Sequence, residues 1–311
     1  MISRVASICN ICVSLRVCAN VRDRGDSVTN QSVAVVGLGR LGRCLVRGLR
    51  SAGVQVTKVT SRNESRAREW LAAIDHTAEL TTLERVGEGA HSVFLTVPDA
   101  EIAVTAARLR LVAGQSVVHC SGALDRTPLT AAAAGGASLG VFHPLQSFGP
   151  DAAADRFAGI AVGIDADAPL FDWLRGLAER LGAKPFSLVG VDRARYHAAA
   201  VFASNYLVAL HAAAARIWQA AGLPVEHARE ALTPLSRGAV DNLSTHPLAR
   251  ALTGPIARGD AAVVARQIAS LASDPQSQEL YRALARELLQ LPLGHSPEVR
   301  AALEDALTGP A

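Results

Sequence analysis

Short apolar runs alternate with amphipathic helical segments along the first two thirds of the chain. Runs of four to seven mostly apolar residues, several rich in β-branched side chains, read as buried strands, and the segments between them repeat with helical spacing. Alternating strands and helices predict a doubly wound α/β Rossmann fold with a parallel sheet. The predicted strands are 33–36, 55–60, 76–80, 92–97, 115–120, 138–142, 160–164 and 185–189.

From Asp192 onward the hydrophobic pattern is helical throughout, which predicts an all-α C-terminal domain. The stretch 192–221 lacks Gly and Pro and predicts one helix of about thirty residues. Its most apolar part, 198–215, contains polar residues and is predicted to be a buried helix, so no membrane association is expected. Apolar faces on many helices favour a homodimer formed through this domain. Further helices are predicted at 225–232, 235–243, 248–252, 261–271, 276–289 and 297–307, and a non-helical insert at 253–260. Asp260, the last residue of this insert, is expected to cap the following helix.

The domain boundaries follow from this change of pattern. Residues 1–31 are irregular, and we expect a disordered extension there, with a targeting segment as the alternative. Residues 32–190 form the predicted nucleotide-binding domain. Residues 191–311 form the predicted helical domain for substrate binding and dimerisation.

The first strand leads directly into Gly37-Leu38-Gly39-Arg40-Leu41-Gly42, and a helix follows. In a strand–turn–helix of this kind the first glycine allows the tight turn, the second allows a pyrophosphate to approach, and the third allows close packing of helix and strand. The helix N-terminus also offers unpaired N–H groups to the phosphates. These six residues are the predicted pyrophosphate-binding turn. A purely structural turn is the alternative.

The residues after the second strand decide between NAD and NADP. An acid at this position would bind the ribose 2′-hydroxyl of NAD. Here Ser61 and Arg62 occupy it, with Arg66 one helical turn later, and a guanidinium suits a 2′-phosphate. The sequence therefore predicts NADP as the cofactor. Glu64 would reverse this prediction if its carboxylate reached the ribose.

Further candidate residues lie in loops that follow predicted strands, because the carboxyl ends of parallel strands form the ligand crevice. Val97 and Pro98 should pass beneath the cofactor, and Asp99 is expected to cap the next helix. Ser121 is a candidate contact to nicotinamide or substrate, or a simple turn residue. His143 follows a later strand and is a candidate acid/base or substrate ligand, or a structural histidine.

The long predicted helix places two polar residues, His197 and Asn205, on an otherwise apolar stripe. Buried polar groups need hydrogen-bond partners, so these two side chains either find partners inside the core or face a ligand. We predict that both belong to the catalytic site.

Composition and charge exclude several other classes of function. The chain has 311 residues, of which 50% are hydrophobic, and a net charge of only +3 with 4% aromatic residues, which argues against nucleic-acid binding. Five cysteines are an odd number for a disulfide framework, so a reducing, cytoplasmic location is expected. Cys9, Cys12 and Cys18 lack a second close pair of ligands, and no metal site is predicted. With nucleic acid and membrane excluded, we expect the binding partner to be a small-molecule substrate.

The layout and several motifs resemble the 6-phosphogluconate dehydrogenase-like superfamily, which includes prephenate dehydrogenase and pyrroline-5-carboxylate reductase. More closely, the chain resembles a bacterial group with a Rossmann-like domain and a domain of unknown function, DUF2520. This resemblance implies a C-terminal domain like that of 6-phosphogluconate dehydrogenase. The matching stretches are 37–42, 118–122, 142–148, 196–205 and 252–260.

The chain departs from this superfamily at one catalytic position. The related hydroxyacid dehydrogenases carry Lys-x-x-x-Asn on the long helix, with lysine as acid/base, whereas here Val201 precedes Asn205. His197 or His143 would have to replace the lysine. The sequence thus predicts an NADP-dependent oxidoreductase that transfers hydride to or from a small polar C=O or C=N substrate in the interdomain cleft. A non-catalytic NADP(H)-binding regulatory or scaffold dimer is the alternative.

Overall fold

The computed structural model describes residues 31–74, 77–149 and 154–309. Within them, the part up to Ala200 forms one compact unit and the part from Val201 another. The predicted domain boundary at 190/191 lies ten residues earlier, and the predicted extension at 1–31 lies almost wholly outside the described residues, as do Cys9, Cys12 and Cys18.

An eight-stranded sheet organises the first unit, in the order β3-β2-β1-β4-β5-β6-β7-β8. All eight predicted strands are confirmed, with ends shifted by a few residues. The strands are β1 Val33–Val36, β2 Val56–Thr60, β3 Glu79–Leu80, β4 Ser92–Leu95, β5 Ser116–His119, β6 Ser138–Pro144, β7 Ala161–Ala166 and β8 Lys184–Ser187. The helices are α1 Arg40–Ser51, α2 Glu64–Ala73, α3 Asp99–Arg108, α4 Leu170–Arg180 and α5 Arg193–Ala203, the last of which runs across the boundary between the units.

The sheet is parallel except at one pair, because β6 and β7 run antiparallel, with His143 opposite Gly163. A parallel connection needs a crossover of a dozen or more residues, usually an α-helix. The described part of the β6–β7 connection contains only a short 3-10 turn, Ala154–Phe157. The predicted doubly wound Rossmann fold is therefore confirmed, and its sheet is parallel except for the pair β6–β7.

Alternate residues of the central strands supply two hydrophobic cores, one on each face of the sheet. Val33 and Val35 of β1 pack in the core that includes residues of α1 and α4. Ala34 and Val36 of the same strand pack in the core that includes residues of α3. Both faces of β1 are thus buried, as a central parallel strand requires, and the glycine turn that follows β1 begins from a fixed position.

The second unit is helical. The helices that follow α5 are α6 Asn205–Ala220, α7 Val225–Thr245, α8 Leu248–Ala251, α9 Pro255–Arg258, α10 Ala261–Ser270, α11 Pro275–Leu288 and α12 Pro297–Thr308. Apolar residues of α9 to α12 form the core of this unit.

Four predictions for the helices are wrong in detail. The predicted thirty-residue helix breaks at Ser204, which has φ −129° and ψ −68° and separates α5 from α6. The two helices predicted at 225–243 are one helix that contains Pro234. The insert predicted to be non-helical contains the single turn of α9. Asp260, the expected side-chain cap of α10, makes no cap hydrogen bond and lies 3.0 Å from Arg258 instead.

A fifth difference concerns burial. The most apolar 18-residue window of the stretch 193–220 has a mean hydropathy of 1.5, so by length and composition this stretch could cross a membrane, yet only 6% of the window is buried. Val208 of α6 is 72% exposed. The prediction of a buried helix is wrong for the single chain, because the apolar pattern does not tell a core from a surface that another molecule covers.

Candidate active site

The glycine turn after β1 has the conformation that its three glycines were expected to allow. Gly37 has φ +97°, in the left-handed region that favours glycine. A Cβ on Gly42 would lie 1.9 Å from the carbonyl oxygen of Gly37, so the third glycine is needed for packing. A Cβ on Gly39 would meet no other described residue within 4 Å. The second glycine therefore borders open space at the N-terminus of α1, where a pyrophosphate fits.

A cavity of about 1140 Å³ opens at this turn. Its wall comes from the glycine turn and from the loops after β2, β4 and β5. Of the ten predicted cofactor residues, nine line it, and Gly42 packs behind the turn. The predicted residues in the wall are Gly37, Leu38, Gly39, Arg40, Leu41, Ser61, Arg62, Val97 and Pro98, and Ser121 is there as well. The donors and the open volume fit a dinucleotide.

One end of the cavity is strongly basic. Arg62 and Arg66 line it beside Arg43, which the sequence analysis did not single out. Burial and the nearby positive charge of Arg66 lower the pKa of Arg43, which shows that the two cations lie close together. Glu64 also lines the cavity, but its carboxylate lies 3.4 Å from Arg68. The acid that could have indicated NAD is therefore engaged with a neighbouring cation on α2.

Asp99 and Ser121 meet where the loops after β4 and β5 come together. Asp99 is the first residue of α3, whose N-cap is Pro98, so the prediction of an Asp99 side-chain cap is wrong. Its carboxylate accepts a 2.8 Å hydrogen bond from the Ser121 hydroxyl. The Ser121 oxygen in turn accepts from the N–H groups of Ala123 and Leu124. Ser121 thus shapes the loop, and its contact with nicotinamide or substrate stays a prediction.

A histidine–tyrosine pair lies next to this loop. Nδ1 of His143, near the end of β6, lies 2.6 Å from the hydroxyl of Tyr196 on α5. Burial, together with the nearby His197 and Arg193, lowers the pKa of His143 to about 4. Burial also raises the pKa of Tyr196. At neutral pH the pair therefore consists of a neutral imidazole and a protonated phenol.

His197 approaches the same place from the next position on α5. Its ring centroid is 6.2 Å from that of His143. A Cβ on Gly122 would lie 2.7 Å from Nε2 of His143 and 3.0 Å from Nδ1 of His197, so both nitrogens point toward this glycine. Nδ1 of His197 is buried and has no hydrogen-bond partner among the described residues. Ser121 lines the cavity, and both histidines lie next to Gly122, the residue that follows it.

Arg193, the first residue of α5, fixes this helix to the sheet. Its Nη2 lies 2.7 Å from Oδ2 of Asp165 on β7, and both side chains are more than nine-tenths buried. Arg193 precedes Tyr196 by three residues and His197 by four, so all three lie on one face of the helix. The ion pair therefore holds the face that carries the tyrosine and the histidine.

Two site residues were missed at the sequence level. Tyr196 directly precedes the predicted site residue His197 and begins the matching stretch 196–205, which were the signals that could have identified it. Arg43 lies four residues after Gly39, which puts it on the first turn of α1. The predicted Asn205 belongs to the second unit, where its Oδ1 accepts from the Ser204 hydroxyl, and its role stays a prediction.

The low pKa of His143 predicts an acid-sensitive fold. The unfolded chain takes up the His143 proton near pH 6.5 and the folded chain only near pH 4, so stability is complete above 6.5 and is lost as pH falls through this window. We expect His143→Gln to reduce the difference in unfolding free energy between pH 7 and pH 4.5 by roughly 2 kcal/mol. Urea titrations at the two pH values measure it. The control variant His227→Gln, on α7, should keep the wild-type difference in unfolding free energy between the two pH values. If His143→Gln also kept this difference, the acid sensitivity could not be assigned to His143.

Two family models match the chain. The model described as NADP oxidoreductase coenzyme F420-dependent matches residues 32–122, which hold the glycine turn and the basic end of the cavity. The DUF2520 model matches residues 160–288. The chain thus resembles NADP oxidoreductases in its Rossmann part and DUF2520 proteins in the part that follows, and it is an NADP-dependent oxidoreductase. NADP is accordingly its cofactor.

Solved structures agree with this assignment. BF3122 of Bacteroides fragilis, a provisional NADP oxidoreductase, is 26% identical with a TM-score of 0.68, over 85% of this chain and all of the other. Protein TM1727 of Thermotoga maritima is 27% identical with a TM-score of 0.67, over 88% and 98% of the two chains. The 1-pyrroline-5-carboxylate reductase of Streptococcus pyogenes shares the fold, at 14% identity and a TM-score of 0.58 over 84% and 99%. No curated protein matches the oxidoreductase.

Proposed function

We propose that the oxidoreductase transfers a hydride between NADP(H) and a small polar compound with a C=O or C=N group. The observation that carries this proposal is the short contact between His143 and Tyr196. His143 lies next to Gly122, and the preceding residue, Ser121, lines the cofactor cavity. Bound NADPH supplies the hydride, and the protein supplies orientation and a proton. The predicted location of the substrate between the two domains stays a prediction.

The electrostatics of the pair support a proton path in which the ring stays neutral. When Tyr196 donates its hydroxyl hydrogen to Nδ1 of His143, Nε2 carries the ring hydrogen and can donate it to the reacting oxygen or nitrogen. As that proton leaves Nε2, the phenol proton passes to Nδ1 and solvent delivers a proton to the Tyr196 oxygen in the same step. Neither an imidazolium nor a phenolate forms, which agrees with the burial that disfavours charge on both side chains. Exchange with solvent then returns the ring hydrogen to Nε2.

This path replaces the lysine that is missing at Val201. His197 and Asn205 retain their predicted roles as substrate ligands, and Ser121 its role beside the nicotinamide. The glycine turn and the loops after β2 and β4 are proposed to hold the pyrophosphate and ribose. The scaffold alternative predicts the same cofactor binding without any proton path.

A screen of NADPH consumption tests the function. The purified oxidoreductase is incubated with NADPH and with cyclic imines, keto acids, semialdehydes or coenzyme F420, which the N-terminal family model names in its description. We expect one of these classes to give sustained turnover. Tight NADPH binding with no turnover in any class would instead support the regulatory or scaffold protein.

We further propose that a second copy of the chain covers the apolar surface of α6 and α7. Large apolar side chains are exposed on both helices, including Val208 and Leu235, each 72% exposed. A single membrane-spanning helix would not explain the exposed apolar residues on α7, which does not have the composition of a membrane span. A protein surface that buries both helices explains them.

Sedimentation velocity tests this dimer. We expect a dimer for the wild type and a monomer for Val208→Asp, because a dimer interface would bury the new carboxylate without a partner. NADPH affinity should change less than about twofold, since the cavity lies entirely in the first unit. A monomeric wild type, or its partition into lipid vesicles, would contradict the dimer.

A further inference from the structure

The basic end of the cavity contains a cation whose position the glycine turn itself determines. We propose that Arg43 of α1, together with Arg62 and Arg66, binds the 2′-phosphate of NADP and sets the preference for NADP over NAD. This inference goes beyond the hydride transfer proposed above. It shares with that proposal only the assignment of NADP as cofactor.

The first step of the argument is position. Arg43 lies on the first turn of α1, directly after the glycine turn, and lines the cavity together with Arg62 and Arg66. The latter two come from the loop after β2 and from the start of α2, where the 2′-position of the ribose is expected. Arg43 thus faces the same end of the cavity from the opposite helix.

The second step is that Arg43 is held in place before any ligand binds. Its Nε–H donates a 3.0 Å hydrogen bond to the carbonyl oxygen of Leu38 in the glycine turn. Its guanidinium carbon lies 5.4 Å from the ring centroid of Trp70 on α2, within the range of a cation–π contact. Because this hydrogen bond uses Nε, the two Nη nitrogens can donate to a phosphate. A guanidinium fixed in this way loses little side-chain entropy on binding.

The third step is electrostatic. Arg66 and Arg47 both lower the pKa of Arg43, so the site gathers positive charges that repel one another. Glu64, the acid that lies between Arg62 and Arg66 in the sequence, has its carboxylate beside Arg68. A phosphate dianion would relieve this repulsion and form charge-assisted hydrogen bonds, whereas the neutral ribose hydroxyl of NAD would not.

Arg47 provides a matched control. It is one turn further along α1 and its guanidinium carbon stacks on the same ring, 5.7 Å from the centroid of Trp70. It does not line the cavity. A change at Arg47 therefore removes a similar charge from the same neighbourhood without removing a predicted phosphate ligand.

Calorimetric titration with 2′,5′-ADP and with 5′-AMP isolates the 2′-phosphate and requires no turnover. We expect Arg43→Gln to weaken 2′,5′-ADP at least tenfold, about 1.4 kcal/mol, and 5′-AMP less than twofold. Arg62→Gln should show the same selective loss and Arg47→Gln less than a twofold change. Trp70→Leu, which keeps Arg43 but removes its platform, should give a smaller selective loss.

Several results would overturn the proposal. Equal loss of both probes in Arg43→Gln would show a general effect on the nucleotide site, and no loss would show that Arg43 is not a ligand. A wild type that binds the two probes equally would overturn it too. Circular dichroism confirms that each variant is folded. Because binding alone is measured, the outcome is independent of whether any substrate is turned over.

Discussion

Gly39→Val should abolish useful NADPH binding while leaving the oxidoreductase folded. A Cβ at this position meets no described residue within 4 Å, and the backbone at φ −70° and ψ −166° is extended, so the fold tolerates a side chain. The added methyl groups would occupy the space in which the pyrophosphate approaches the N-terminus of α1. We expect the Kd for NADPH to rise at least 100-fold, about 2.7 kcal/mol, in a fluorescence titration.

Gly42→Ala is the comparison that separates binding from folding. The new Cβ would lie 1.9 Å from the Gly37 carbonyl oxygen and 2.6 Å from Oγ1 of Thr96, so the turn itself must move. We expect a loss of about 1–3 kcal/mol of unfolding free energy in urea, with weaker NADPH binding as a consequence. If Gly39→Val instead unfolded the protein and Gly42→Ala did not, the roles assigned to the two glycines would be reversed.

Loss of the His143–Tyr196 contact should abolish most turnover without affecting cofactor binding. Proton transfer from a positioned side chain contributes about 10²–10⁴-fold to rate. We therefore expect His143→Gln and Tyr196→Phe each to lower kcat at least 100-fold with the substrate class found in the screen. The Kd for NADPH should change less than twofold, because neither side chain lines the cavity.

The double variant tells whether the two residues act as one unit. If the proton passes along the pair, His143→Gln combined with Tyr196→Phe should be little slower than either single variant, since effects within a unit are not additive. His227→Gln, an exposed position on α7, should retain wild-type kcat. Wild-type kcat in His143→Gln would refute the proposed proton path.

The Rossmann fold and the cofactor end of the site were predictable because local patterns determine them. Apolar runs bounded by turn residues predict strands, and the glycine spacing after β1 is a local constraint on one turn. Loops after parallel strands meet at one edge, so Ser61, Arg62 and Pro98 could be assigned to one cavity from chain order alone. Arg43 was not predictable in this way, because its role depends on how α1 packs against α2 and Trp70.

The catalytic end was harder to predict, since it depends on contacts between distant parts of the chain. His143 and Tyr196 are 53 residues apart in the sequence. The buried ion pair of Arg193 with Asp165 holds α5, the helix that carries Tyr196, against the sheet. The reversal of β7 likewise accompanies a connection whose described part contains only a short 3-10 turn. The exposure of α6 was missed because an apolar stripe has the same pattern whether its own core or another molecule covers it.

Transfer of deuterium to a candidate substrate from NADPH that carries deuterium at both C4 positions of the nicotinamide is the most direct test of the central claim. We predict that the wild type places one deuterium on the carbon of the former C=O or C=N group, and that Tyr196→Phe does so at least 100-fold more slowly at saturating cofactor. Binding of labelled NADPH with no deuterium in any product, across all the compound classes screened, would contradict the account.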